Sequence, residues 1–132
     1  MPETKKKPQV LVIDDEKTIL LIVNRTLGEE FDVVKKQNAE EALDFMRERK
    51  ELPSLIIVDL NMPGMSGEEF LKHVRTSGFY FHIPVIILSG EDDSETRIRC
   101  LEAGADDFVI KPFNPRELGA RSRNLIDRSS IQ

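Results

Sequence analysis

The sequence predicts an α/β fold, a parallel sheet with helices on both faces. Three observations predict it. Strand-like and helix-like segments alternate five times along the 132 residues, the pattern of a βαβ series. The first, third and fourth strand runs are continuously apolar, as strands buried on both faces are. Four runs end in polar residues: VLVIDDE at 10–16, LIIVDLNMPGMSG at 55–67, VIILSG at 85–90 and FVIKPF at 108–113. In parallel strands those polar residues meet at the carboxyl edge of the sheet, where open α/β sheets bind ligands.

Strand one covers residues 9–13. Helix one follows, with Ile19, Leu20, Val23 and Leu27 at helical spacing and Gly28 as its stop. Strand two, 31–36, is apolar only at its start, as suits a sheet edge. Asn38 is placed as the N-cap of helix two, with Glu41 completing a capping box and Ala39, Ala42, Leu43 and Met46 as the inner stripe. Pro53 and Ser54 break that helix and open strand three, 55–59. The loop 61–67 carries the turn formers Pro63, Gly64 and Gly67. Ser66 caps helix three, which turns Phe70, Leu71 and Val74 inward. An apolar, aromatic link at 77–84 leads to strand four, 85–88. Helix four runs over 93–103 and stops at Gly104; strand five is 107–110. Asn114 caps helix five, with Pro115 at its first position and Glu117 as capping-box partner. Leu118, Ser122 and Leu125 face the sheet. Residues 1–8 form a flexible tail, 9–128 one domain, and 129–132 a tail or the start of a linker.

Composition narrows the function. A chain of this length suits one domain. With 39 % hydrophobic and 33 % charged residues it is a soluble globular protein. A net charge of −5 argues against a direct nucleic-acid grip, and the basic run at 5–7 is a solvated tail. The apolar runs are far shorter than the roughly 20 residues that span a bilayer, and the N-terminus lacks the apolar region of a signal peptide. Cytoplasmic location is the default. Cys100 is the only cysteine, which excludes an intrachain disulfide or thiolate cluster.

The strand ends deliver Asp14, Asp15, Asp59, Ser89 and Lys111. Three of these positions have a plain alternative: Asp15 or Glu16 capping helix one, Asp59 opening an Asx-turn, Ser89 capping a strand end. Together they point to chemistry. Three close carboxylates raise one another's pKa values, so such a group implies a cation. Magnesium is the natural choice for hard oxygen ligands, and manganese fits almost as well. No His or Cys lies nearby to suit zinc. Lys111 at the end of a buried strand needs an anion partner, which Asp59 or a phosphate on it supplies. The set suits in-line attack by Asp59 on phosphorus, with Lys111 and the cation balancing charge and Ser89 donating to a phosphoryl oxygen. No GxxxxGK[ST] loop is present, which excludes a nucleotide-binding P-loop.

The motifs VIDDE, VDLNMPGMSG, EAGADDFVIKPF and NPREL together resemble the response-regulator receiver (CheY-like) domain of two-component signalling, over residues 9–128. The resemblance implies a flavodoxin-like (βα)5 fold with strand order 2-1-3-4-5. It implies that Asp59 is the phosphoacceptor, charged by a histidine kinase or phosphotransfer protein. Asp14 and Asp15 match the metal-binding acids, Asn61 the residue whose backbone carbonyl completes the metal shell, and Lys111 the family lysine. Ser89 matches the switch hydroxyl and Phe108 the aromatic that moves with it. A phenylalanine there lacks the phenolic hydroxyl of the common tyrosine.

The implied output is the surface of helix four, strand five and helix five. Glu117, Arg121 and Arg128 form one stripe of helix five. As a plain reading the stripe is a solvated face. It is also similar to the winged-helix OmpR/PhoB group, in which such charges pair across a two-fold dimer. The matching positions are Arg97, Glu102, Asp106, Asp107, Glu117, Arg121, Arg123 and Arg128, with Arg123 off the stripe. The expected protein is a signalling domain that acts only on its own phosphorylation, not an enzyme and not membrane-bound. It is either stand-alone or part of a longer regulator with an unknown effector. The alternative is a haloacid-dehalogenase-like phosphatase, whose nucleophile belongs to a D-x-D pair on strand one; here the lone acid sits on strand three. A flavodoxin-like redox protein lacks its Ser/Thr-rich loop here, and a phosphorylation-independent receiver would not need the full acid–lysine set.

Overall fold

The computed structural model describes residues 6–48 and 51–130. Ten elements alternate: β1 (Gln9–Ile13), α1 (Lys17–Leu27), β2 (Asp32–Lys36), α2 (Ala39–Glu48), β3 (Leu55–Asp59), α3 (Gly67–Thr76), β4 (Val85–Ser89), α4 (Ser94–Glu102), β5 (Asp107–Ile110) and α5 (Pro115–Ser130). All strands are parallel, in the order β2-β1-β3-β4-β5. The expected fold class and strand order are therefore observed. Ile13 lies opposite Val58, Asp59 opposite Leu88 and Ser89 opposite Ile110. The strands end nearly level, which brings the polar residues that follow them to one edge.

The sheet divides the core in two. Val10 and Val12 pack with Leu20, Val23 and Leu27 of α1 and Leu118 and Ile126 of α5. Leu11 and Ile13 face the other way, toward Leu43 and Met46 of α2, Phe70, Leu71 and Val74 of α3 and Cys100 of α4. The alternation of β1 residues between the two clusters is the two-residue period of a strand. β3 and β4 are buried along their whole length, as their unbroken apolar runs predict.

Local signals set most boundaries. Ser66 and Glu69 form a full capping box at α3, and Asn38 Oδ1 accepts the Glu41 N–H at 2.8 Å. Caps of this kind contribute about 1 kcal/mol each. At α5 the box is incomplete: Asn114 Oδ1 accepts the Arg116 N–H at 2.9 Å, while Glu117 turns to Arg121. Phe31, expected to open β2, instead closes α1, its N–H donating to the Leu27 carbonyl while its ring enters the core. Asp93 and Ala103 are caps of α4 rather than its first and last residues. Leu125 packs half-buried against the α1–α5 core as expected, and Ile126 is buried in it. Ser122 does face inward, and its Oγ has no hydrogen-bond partner.

At the ends, Lys6, Lys7 and Pro8 are exposed coil. The rest of the expected N-terminal tail, including Lys5 of the basic run, lies outside the described residues. Ser129 and Ser130, expected in a tail, belong to α5, and Ile131 and Gln132 lie outside the described residues. Among the described residues, no helix is long and apolar enough to cross a membrane.

Candidate functional site

Four strand ends build the site. Asp14 follows β1 with its N–H bonded to the Lys36 carbonyl, and Asp59 is the last residue of β3. Lys111 follows β5 and is tied by its N–H to the Ser89 carbonyl at 2.7 Å; the Lys111–Pro112 bond is cis. Gly67 opens α3 directly against the end of β3, where a Cβ would overlap the Asp59 carbonyl oxygen. Only glycine allows that approach.

Asp14, Asp15 and Asp59 each offer a carboxylate oxygen within 4.8 Å of the others. Asp14 and Asp59 are buried and Asp15 is exposed. Lys111 Nζ lies 2.9 Å from Asp14 Oδ2, 3.1 Å from Asp59 Oδ1 and 3.2 Å from Glu16 Oε1. Asp14 Oδ1 accepts the Glu16 N–H at 2.9 Å. The N-cap residue Glu16 makes no side-chain hydrogen bond to α1, so its alternative reading as a side-chain cap is not observed. Asp14 Oδ2 touches the lysine as an ion pair but without hydrogen-bond geometry.

The electrostatics follow from this crowding. Burial, then the charge of Asp14, pushes the Asp59 carboxyl up to about 6 against the pull of Lys111. Burial also raises Asp14, opposed by the Glu16 N–H and by Lys111. Burial alone would lower the Lys111 ammonium, but Asp14 and Asp59 outweigh it and hold it above its ordinary value. Four acids around one cation leave the site with surplus negative charge. A hard cation would relieve that surplus, and a buried carboxylate oxygen with no hydrogen bond is a ligand atom for one.

Ser89 is buried, and its hydroxyl is engaged by Glu91. It accepts the Glu91 N–H at 2.9 Å and donates to the Glu91 carbonyl at 3.3 Å. The Asn61 side chain donates to Glu91 Oε1 at 3.0 Å. Phe108 is buried in the α2–α4 core, with the Arg97 guanidinium 5.8 Å from its ring centroid.

The other charged positions divide. Arg121 holds Asp107 with a two-pronged contact at 2.9 and 3.1 Å and reaches Glu117 at 3.6 Å. Arg97 pairs with Asp92 at 3.3 Å. Glu102 and Arg128 are exposed. Two positions depart from the expected face. Arg123 pairs with Glu30 at 3.0 Å, on the side of α1. Asp106 binds Arg75 at 2.8 Å and accepts the Val85 N–H at 2.8 Å, at the amino edge of the sheet. Between the remaining charges Ile98 and Leu101 of α4 stand 52 % and 43 % exposed, an apolar patch the charge stripe did not reveal.

Among the contacts with little trace in the sequence, Glu16 reads as a helix cap, yet its place on Lys111 joins residues far apart in the chain. Glu68 of α3 binds Arg99 of α4 at 2.7 Å and Lys72 at 3.3 Å. Only the Glu68–Lys72 spacing of four left a local signal.

Comparison with known proteins agrees with this geometry. Residues 10–123 match the sequence pattern of the response regulator receiver domain. The chain is 40 % identical over 125 residues to the transcriptional regulatory protein AruR of Pseudomonas aeruginosa, covering 92 % of this chain and 50 % of that protein. It is 37 % identical to the phosphate regulon transcriptional regulatory protein PhoB of Escherichia coli, covering 92 % and 53 %. The chain thus spans about half the length of these relatives. The structure of the chemotaxis response regulator CheY4 of Vibrio cholerae superposes with a TM-score of 0.83 at 31 % identity, covering 91 % of this chain and 99 % of that one.

Proposed function

Because this chain belongs to the response regulator receiver domain family, we propose that it is a phosphoacceptor switch charged by a histidine kinase or phosphotransfer protein, with Asp59 as acceptor. The observation that carries this reading is the buried Asp59 carboxylate, held 3.1 Å from Lys111 and clustered with Asp14 and Asp15. An Asp59 oxygen attacks the phosphorus of a phosphohistidine. The new O–P bond forms as the N–P bond breaks, and the leaving imidazole nitrogen keeps the electron pair and takes a proton. Asp14, Asp15, Asp59 and the backbone carbonyl of Asn61 would hold the divalent cation, Mg2+ or Mn2+. When bound, that ion screens the charge on the transferring phosphoryl oxygens. Lys111 balances the remaining charge from the opposite side.

The output follows from Ser89. To donate to a phosphoryl oxygen its hydroxyl must leave the Glu91 backbone, which frees the β4–α4 connection. Phe108 and Arg97 then rearrange, and the α4–β5–α5 surface changes shape. Arg97 and Glu102 neighbour Ile98 and Leu101 on α4, while Asp107 stands on β5 and Glu117, Arg121 and Arg128 on α5. We assign to that surface a two-fold dimer or an effector contact. The domain acts in the cytoplasm and catalyses only its own phosphorylation and dephosphorylation. A haloacid-dehalogenase-like phosphatase finds no support in the family match or in an acceptor placed on β3.

The test is direct. Acetyl phosphate with Mg2+ adds one phosphate by mass spectrometry, and Asp59→Asn abolishes it; labelling of that variant at the wild-type level ends the reading. Beryllofluoride raises the dimer fraction in light scattering. A monomer under both conditions removes the dimer and leaves the switch.

A further inference from the structure

The β4–α4 connection carries polar contacts beyond the acid cluster. Asn61 Nδ2 donates to Glu91 Oε1 at 3.0 Å, and Thr96 Oγ1 donates to Glu91 Oε2 at 3.3 Å. Both oxygens of one carboxylate are therefore in use, one toward the β3–α3 loop and one toward the first turn of α4. The backbone of Glu91 is clamped by Ser89 on both its N–H and its carbonyl. Thr96 is buried, and its own N–H is fixed by the Asp93 side chain at 3.3 Å. A continuous chain of donors and acceptors thus runs from the residue two beyond Asp59 to the start of α4.

The aim of a backbone carbonyl depends on the rotation of its residue, and a side-chain tether on that residue restricts the rotation. This is the way outer contacts tune a metal ligand. α4 buries only Thr96 and Cys100, so one polar tie at its start has leverage over the whole helix. We propose that Thr96, acting through Glu91 and Asn61, is a positioning residue for the cation-binding loop, so that divalent-cation binding and the order of the first turn of α4 are coupled. The inference rests on the reading of the Asn61 carbonyl as a metal ligand. Coupling of this kind is reciprocal. A cation that fixes Asn61 also fixes Glu91 and Thr96, and loss of the Thr96 tie loosens the grip on the cation. The helix that reports phosphorylation would then already sense metal loading.

Mg2+ titration of the full chain, followed by amide NMR shifts around Asp14, tests this together with hydrogen exchange in α4. Thr96→Val weakens Mg2+ binding by about threefold to tenfold, the range that one lost hydrogen bond spans. Thr96→Ser, which keeps the hydroxyl, restores it. Mg2+ slows exchange over residues 94–97 in the wild type and has no such effect in Thr96→Val. Adding Asn61→Ala to Thr96→Val costs less than the two single losses combined, as members of one chain should. Asp15→Asn serves as the control and weakens Mg2+ in every background. Unchanged affinity in a folded Thr96→Val, with Asp15→Asn weakened, overturns the coupling and spares the metal site. Unchanged affinity in Asp15→Asn overturns the metal site and the coupling with it. If Thr96→Val does not fold, Glu91→Gln takes its place with the same expected weakening, and unchanged affinity there overturns the coupling.

Discussion

Two clusters of charge sit at opposite ends of the same sheet. At the amino edge Arg75 of α3 donates to Gly104 O at 2.9 Å, Ile83 O at 2.7 Å, Phe81 O at 3.1 Å and Asp106 Oδ2 at 2.8 Å. Asp106 also accepts the Val85 N–H. One cation meets one anion and three carbonyls, and the charges cancel. At the carboxyl edge Asp14, Asp59 and Glu16 surround the single ammonium of Lys111, with Asp15 clustered beside the first two, and Asp59 is pushed up to about 6 by burial and then by Asp14. The residue types are alike and the balance is opposite. The balanced cluster fastens α3, β4 and β5 together. The unbalanced one is held in place by the fold around it, and a buried imbalance of that kind marks a site kept for chemistry.

The largest effect should come from breaking the balanced end. Arg75→Ala removes the cation that faces Asp106 and the donor of three carbonyls, and destabilises the domain by about 2–4 kcal/mol in urea unfolding. A loss below about 1 kcal/mol would mean that water replaces the guanidinium freely.

At the unbalanced end the sign reverses. Folded Asp59 keeps its proton up to about pH 6, whereas the unfolded carboxyl loses it near 3.8. The folded state therefore binds more protons across that window, and stability falls as pH rises through it. Above the window the cost is fully present; below 3.8 both states are protonated and it vanishes. In a chelator at pH 7, Asp59→Asn stabilises the domain by about 1–3 kcal/mol. The gain shrinks as pH falls toward 4 and shrinks again with Mg2+, which binds the folded wild type better than the variant. A variant less stable than the wild type at pH 7 would show that Lys111 outweighs the crowding.

The smallest effect separates charge imbalance from mere lack of a partner. Ser122 is buried with an unpaired hydroxyl, yet it is neutral and lies on α5 away from the edge. Ser122→Ala changes stability by about 1 kcal/mol or less, toward stabilisation, and leaves acetyl phosphate labelling unchanged. Loss of labelling would assign Ser122 a role that its position does not.

Much of this was legible in the residues. Continuous apolar runs located β1, β3 and β4, Ser66 and Asn38 announced their helices, and the polar residue after each apolar run marked the shared edge. These signals are local: a period, a cap or a strand end leaves its trace within a few positions. The contacts that escaped are long-range. Glu16 on Lys111, Glu30 on Arg123 and Asp106 on Arg75 are charged surface-type residues with no periodicity to pair them. Resemblance alone places Arg123 and Asp106 on the dimer face, whereas their partners lie on α1's side and at the amino edge. Ile98 and Leu101 were missed for the opposite reason: apolar residues on a helix are expected to point inward, and α4 turns these two outward.

The two-sided core has a mechanical corollary. α1 and α5 belong to one packed layer, and α2, α3 and α4 to the other. The α4–β5–α5 surface is therefore a seam where both layers emerge beside the last strand. A shift of α4 slides one layer's rim along that seam while the helix across it stays anchored by Leu118 and Ile126. Relief on the outside can change there without either interior being repacked, which is how, on the proposed function, a single added phosphate would reshape a surface that it does not touch.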